Sequence, residues 1–306
     1  MPHDYTCKIP AKHTLGAHCP TCQDDDSERI IKARWGGKAE PDIVYNLFFD
    51  PTSASDWTNF LKGWTPALLY AAVFIHQRPY VRFNALASTP VSATNPGIKR
   101  CELGDLLVVF TDTPALRRVA ALFQAKMSTG TWPPTTPNPA QWELYTTWPT
   151  FSYNPNSPYP APGRQYRTLP FKGSDDPSGQ YLKLTAPASG VAAAVDASEA
   201  FPRHAFIVWS RVINRLLNGA AGRDFSWTRT AARNDWDELI WDLLDYTWHQ
   251  AKPGFPAGGA PNRGVGAYLL AHRGIIDSTD GHGPSDFPAP NEDSGWGIPV
   301  IHIIRE

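Results

Sequence analysis

From Leu106 to Phe110 the chain reads LLVVF, five apolar residues without interruption. Strand side chains alternate between two faces, so a strand with no polar position has to be covered on both sides. Val119 to Met127 is a second such stretch and follows across TDTPALRR. The pair predicts a hairpin of two buried strands at the heart of a domain. The chain can supply the covering layers. With 306 residues, 42% of them hydrophobic and 19% charged, it is too long for a stapled miniature scaffold and too sparsely charged for wholesale disorder.

The remaining elements are read outward from this hairpin. Residues 56–76 predict a helix in two pieces: Trp57, Phe60, Leu61 and Trp64 recur at helical spacing, and Thr65-Pro66 serves as N-cap and N1 of a restart. Tyr80 to Asn84 is a short alternating strand, followed by the turn-rich STPVSATNPG. Pro202 to Leu217 predicts a helix that stops near Gly219, and residues 235–249 a second helix with Asp235 as cap and Glu238 closing a capping box. GIPVIHIIRE predicts a terminal strand, and no internal repeat is visible.

The chain contains 30 prolines, about twice the usual proportion of about 5%, and twelve of them fall between Trp132 and Pro187. That stretch is expected to be an ordered wrap, its Tyr and Trp residues packing on the domain or stacking on bases or sugar rings. The organisation expected is an N-terminal arm over residues 1–40 and an α/β domain over 41–306, with the Pro-rich insertion at about 132–187. The 12 tryptophans are read mainly as packing residues.

A net charge of −1 excludes a global basic field, so any contact with a polyanion has to be local. Lys99/Arg100 and Arg117/Arg118 are the candidate patch. No stretch reaches the length of about 18–20 apolar residues needed to cross a membrane. The N-terminus lacks an apolar signal core, so the expectation is a cytoplasmic chain with reduced thiols and no membrane partner.

The hairpin also carries an anomaly. Gln124 and Lys126 project from one face of an apolar strand, with Phe123 and Ala125 on the other. A buried ammonium needs a partner, and Asp105, at the mouth of the neighbouring strand, is placed to be one. Glu102 stands three residues earlier, in CELGD. An acidic residue opening one strand followed by a Gln-x-Lys triplet on the next resembles the PD-(D/E)XK superfamily of restriction-endonuclease-like nucleases.

The resemblance implies a restriction-endonuclease-like mixed sheet flanked by helices and a metal-dependent hydrolysis of DNA phosphodiester bonds. It makes Asp105 a ligand of Mg²⁺ or Mn²⁺ and Lys126 the group that orients or activates the attacking water. Gln124 stands where most members carry a second acid; its amide offers the metal an oxygen but no charge, so Glu102 or an upstream acid has to compensate. Members usually supply an acid from a helix before the first core strand, and among Glu28, Glu40 and Asp42, Glu40 ranks first. The stretch from Gln141 through LYTTWP is similar to a group of uncharacterised bacterial proteins that share the ELGD and QAK elements, and a bacterial defence or mobile-element setting is expected for a nuclease or an interaction protein of this kind. Without the resemblance, Glu102 and Asp105 read as solvated strand-entry residues and Lys126 as half of an edge ion pair. The alternative function is then a catalytically inactive nuclease-like module that binds protein or nucleic acid. Near-neutral charge implies dependence on a protein partner or homo-oligomer in either case, and a carbohydrate-binding module is a third reading suggested by tryptophan content alone.

Cys19-Pro-Thr-Cys22 has the C-x2-C spacing of half a zinc knuckle, which Cys7 with His13 or His18 would complete as a structural Zn²⁺ site. A thiol-bearing loop or a disulfide are the other readings, and Cys101 is expected to be a buried small hydrophobe. Asp280, His282 and Asp286 form a further cluster in a Gly/Pro loop, read as a solvated turn. No G-x-S-x-G elbow or G-x-x-x-x-G-K-[ST] loop is present.

Overall fold

The computed structural model describes residues 20–37, 39–74, 79–84, 97–128, 138–154, 165–166, 169, 178–187, 193–198, 206–251 and 298–306. The predicted hairpin is its centre. Strands β4 (Leu106–Asp112) and β5 (Arg117–Ser128) pair antiparallel, Leu106 opposite Phe123 and Asp112 opposite Arg117. Every residue of β4 is buried. Leu106, Val108 and Phe110 enter one apolar cluster, Leu107 and Val109 the other, as period-two alternation requires.

Five more strands extend this sheet. The terminal strand β12 (Val300–Arg305) lies parallel to β4, and β1 (Leu68–Val73) closes that edge antiparallel to β12. On the other side β8 (Gly179–Thr185) runs parallel to β5, followed by β9 (Ala194–Ser198) and β10 (Phe206–Val208), both antiparallel to their neighbours. The short β11 (Arg223–Asp224) pairs with β5 at Val119 and Ala120, making eight strands among the described residues. A second sheet has the order β3 (Ile98–Glu102), β2 (Tyr80–Asn84), β6 (Phe151–Tyr153), β7 (Gln165–Tyr166).

Helices α1 (Pro20–Arg34), α2 (Glu40–Phe48), α3 (Pro51–Trp64) and α5 (Trp209–Leu217) contribute to the cluster on one face of the large sheet. Helices α4 (Pro139–Thr147) and α6 (Asp235–Ala251) and the inner face of the small sheet fill the other. The result is an α/β architecture with a mixed sheet flanked by helices.

Several expectations change. Only the first half of the predicted 56–76 helix is helical: Leu68–Val73 is strand β1, because LLYAAV is a short apolar run whose type is decided by the ladder it forms with residues 300–305. The wrap is not merely a wrap. It contains α4 and β8, a strand buried beside β5, and Trp142, Trp148, Tyr153 and Tyr166 are core residues unavailable for stacking on bases or sugars. Within the predicted 202–217 helix, Phe206–Val208 is strand β10 and only Trp209–Leu217 is helical. The cap of α6 is one residue earlier than expected: Asn234 Oδ1 accepts from Asp237 N–H at 3.0 Å, and Asp237 reaches back to Arg233 N–H at 3.0 Å. The arm is not wholly polar, since α1 buries Ile30 and Ile31 against the helical layer.

Candidate active site

Asp105 comes first in building the site. Its N–H donates to Phe123 O at 2.8 Å, which extends the β4–β5 ladder one residue beyond Leu106 and sets Asp105 across from Gln124. Asp105 Oδ2 accepts from Ala125 N–H at 2.8 Å and from Gln124 Nε2. The carboxylate is thereby held in a single pose at 8% exposure. Because a carboxylate only accepts, the Gln124 amide must turn its nitrogen to Asp105 and its Oε1 away. That Oε1 is fully buried and takes no hydrogen bond among the described residues, which is costly for a carbonyl oxygen removed from water.

Lys126, two residues along β5, is partly exposed, and its Nζ lies 3.7 Å from Asp105 Oδ2 and 3.8 Å from Glu40 Oε1. It also donates to Ala125 O at 2.6 Å. Glu40 opens α2. Pro41 occupies the first turn, where its missing N–H costs nothing, and Glu40 and Asp42 place negative charge at the positive end of the helix. The approach to this helix passes Gly37 at φ +98°, where a Cβ would stand 2.5 Å from Asp42 Cβ, so glycine is required. Ile43, Val44, Leu47 and Phe48 pin α2 to the core. Of the three upstream acids considered, Glu40 is the one seated beside Lys126; Glu28 pairs with Lys32 on the exposed side of α1 at 3.7 Å, and Asp42 is exposed.

Glu102 takes another course. It sits at the end of β3 opposite Tyr80, whose hydroxyl donates to Glu102 Oε1 at 3.1 Å. The floor beside Asp105 is aromatic. Tyr145 OH donates to Leu103 O at 2.7 Å, and its ring centroid lies 5.7 Å from that of Tyr181, which neighbours Gln124 across the β5–β8 ladder. Gly104 and Gly179 make room: a Cβ would stand 3.0 Å from Tyr145 Oη at Gly104 and 2.4 Å from a Trp148 ring carbon at Gly179. Burial first, and the nearby Asp105 second, push the Tyr145 hydroxyl well above its ordinary range; burial likewise raises Tyr181. The Cys101 thiol is pushed up to about 12, by burial and then by Glu102. These aromatic neighbours come from the Pro-rich stretch, and no spacing in the sequence ties Tyr145 or Tyr181 to Asp105.

The donor set fits a hard divalent cation. Asp105 and Glu40 offer carboxylate oxygens, and Gln124 Oε1 is a buried acceptor without a donor. Among the described residues no group of three or more His, Cys, Asp or Glu side chains could hold a metal, and Gln124 Oε1, turned from Asp105, would join the two carboxylates only after the amide rotates. Comparison with models of known families, with curated proteins and with solved structures finds no match to this chain.

For the other predicted sites, Cys22 lies in the first turn of α1, while Cys7, His13, His18 and Cys19 fall outside the described residues, as do Asp280, His282 and Asp286. Cys101 is buried, as expected. The expected basic patch is divided. Arg118 is 1% exposed, bonded to Trp227 O with its guanidinium 4.2 Å from the Trp227 ring centroid, so it cannot meet a phosphate at the surface. Arg117 is bound to Asp224 at 2.7 Å. No helix among the described residues is long and apolar enough to cross a membrane.

Proposed function

We propose that this protein is a metal-dependent endonuclease of restriction-endonuclease-like fold that hydrolyses DNA phosphodiester bonds, with Asp105, Gln124, Lys126 and Glu40 as its working residues. The observation that carries the reading is the seating of one ammonium between two carboxylates from distant parts of the chain, beside an amide whose oxygen has no donor. Asp105 and Glu40 would hold Mg²⁺ or Mn²⁺, and Gln124 would join them by rotating its amide to turn Oε1 toward the metal. A divalent cation held there supplies Lewis acidity toward the scissile phosphate and makes a bound water more acidic.

The residues of the chain account for the rest. Lys126, with donors left over from its contact with Ala125 O, orients the attacking water and offsets negative charge building on the phosphate. Glu40 and Asp105 hold that ammonium in place. In the reaction the water oxygen bonds to phosphorus and one P–O ester bond breaks. The water gives up a proton and the departing oxygen takes one, leaving a phosphate monoester and a hydroxyl. Tyr145 and Tyr181, kept neutral by burial, line the floor and do not act as bases, and Tyr145 gives its hydrogen to Leu103 O.

The test is incubation with plasmid, single-stranded DNA and RNA, each with Mg²⁺, Mn²⁺ or EDTA. The expected result is cleavage of DNA that EDTA stops and Lys126→Ala removes while the fold is kept. Undiminished cleavage by Lys126→Ala sinks the assignment, and binding without cleavage under every metal condition favours the inactive nuclease-like module.

A further inference from the structure

The outer face of the small sheet carries a charge arrangement that its fold does not need. In the β2–β3 ladder Arg82 and Arg100 stand directly opposite one another. Both are exposed, while Val81, Phe83 and Cys101 on the inner face are buried. Like charges directly opposite across a ladder destabilise it. Neither arginine has a carboxylate partner among the described residues: Arg82 Nε donates to Ser152 Oγ at 3.3 Å, and the Arg100 guanidinium lies 4.8 Å from the Tyr80 ring centroid.

The row continues across the sheet, Arg82 opposite Ser152 and Ser152 opposite Gln165, so two guanidinium groups, a hydroxyl and an amide share one face. A groove of about 470 Å³ borders Arg82 and is lined also by Asn84, Ile98, Thr150, Ser152 and Gln165, with no acidic side chain among its described residues, while Arg100 stands across the ladder from Arg82 outside that lining. Ile98 is 72% exposed there, an apolar edge in a cationic groove. Strand β3 points at the candidate site. Asp105 lies five residues beyond Arg100, at most about 17 Å of extended chain, and a nucleic-acid strand in a duplex covers that distance in about five nucleotides.

We propose that this face is a binding site for the phosphodiester backbone of a nucleic acid, gripping the strand to one side of the bond that is cut. Arg82 and Arg100 each take a phosphate, Ser152 and Gln165 bond sugar or phosphate oxygens, and Ile98 packs against a sugar or base. The role as a substrate track rests on the endonuclease reading; the binding surface itself does not. It also answers the net charge of −1, since this sheet face sets two arginines side by side.

The test uses the full chain carrying Lys126→Ala, to prevent turnover, with fluorescein-labelled single-stranded and duplex DNA titrated at several KCl concentrations. Adding Arg82→Ala and Arg100→Ala is expected to weaken binding at least about tenfold and to lower the slope of log K against log salt by about 1.4 for the single strand or about 1.8 for the duplex. Arg82→Lys with Arg100→Lys should keep most of that slope, because the phosphates read charge. Thermal melting of the alanine pair should be unchanged or raised, since a repulsion is removed. Unchanged affinity and slope in the alanine pair overturn the proposal, as does the absence of salt-dependent binding to either DNA. If the parent chain cleaves nothing while arginine-dependent binding persists, the endonuclease reading fails and the surface stands. Cleavage with arginine-independent binding gives the reverse.

Discussion

Two buried aspartates in this molecule are treated differently. Asp242, on α6, is 0% exposed; it is bound to the Arg229 guanidinium and accepts from Tyr166 OH. One negative charge meets one positive charge and a hydroxyl. Asp105 is nearly as buried, yet its cation stands 3.7 Å away and is shared with Glu40, so two carboxylates face one ammonium, with the unsatisfied Gln124 Oε1 alongside. The Asp242 network is closed and serves the fold. The Asp105 cluster sets two carboxylates against one partly exposed ammonium and leaves Gln124 Oε1 buried with no hydrogen bond among the described residues.

Removing Arg229 should have the largest effect. Arg229→Ala removes the guanidinium bound to the fully buried Asp242 and should cost about 3–5 kcal/mol, read as a lower urea midpoint. A loss below about 1 kcal/mol would break the contrast between the two clusters. Lys126→Ala should do the opposite: cleavage falls about 10²–10⁴-fold while stability changes by no more than about 1 kcal/mol, because this ammonium is partly solvated. Equal loss of folding in both variants would make Lys126 a second structural cation.

Gln124→Glu sharpens the comparison further. A third carboxylate beside Asp105 should lower the melting temperature of the metal-free protein, by about 1–3 kcal/mol of stability, and make the gain on adding Mg²⁺ larger than in the parent chain. If Mg²⁺ stabilises neither protein, the metal reading of the Asp105 cluster is lost.

The smallest effect concerns the floor beside Asp105. Cys101, pushed up to about 12, and Tyr145 and Tyr181, raised by burial, all hold their protons more tightly when folded. Above the ordinary thiol value of about 8.5 the unfolded chain binds fewer protons than the folded one, so stability falls as pH rises toward 12. The Cys101 share is at most about 1.4 kcal/mol per pH unit, and Cys101→Ala should flatten the alkaline unfolding curve by that amount. An unchanged curve would show that the floor is already wet.

Much of the centre was legible from local pattern alone. LLVVF and the stretch after it announce a buried hairpin because unbroken apolar strands have few other solutions, and Asp105, Gln124 and Lys126 follow from strand alternation within it. Glu40 lies beside Lys126, and the helix that carries it is not among the expected elements although the spacing of Ile43, Val44, Leu47 and Phe48 defines it. Glu102, near Asp105 in sequence, is drawn to Tyr80 by a cross-strand pairing that no local rule gives. Arg118 looked like a surface cation and is buried under Trp227, which lies more than a hundred residues away.

The division follows the range of the forces. Alternation, caps and apolar runs act over a few residues, so the sequence by itself determined the central strands, the helical stretches 56–64 and 235–249, and which side chains of the hairpin share a face. Tertiary structure decided everything set by pairing across long separations. LLYAAV became a strand because residues 300–305 offered it a ladder, and the Pro-rich stretch gave β8 to the sheet because the edge of β5 was open to it. Lys126 acquired its second carboxylate because a helix eighty-six residues earlier in the chain packs its first turn beside the end of β5. Burial rewards such pairings only once the chain has closed the intervening loops, and no local pattern carries that term.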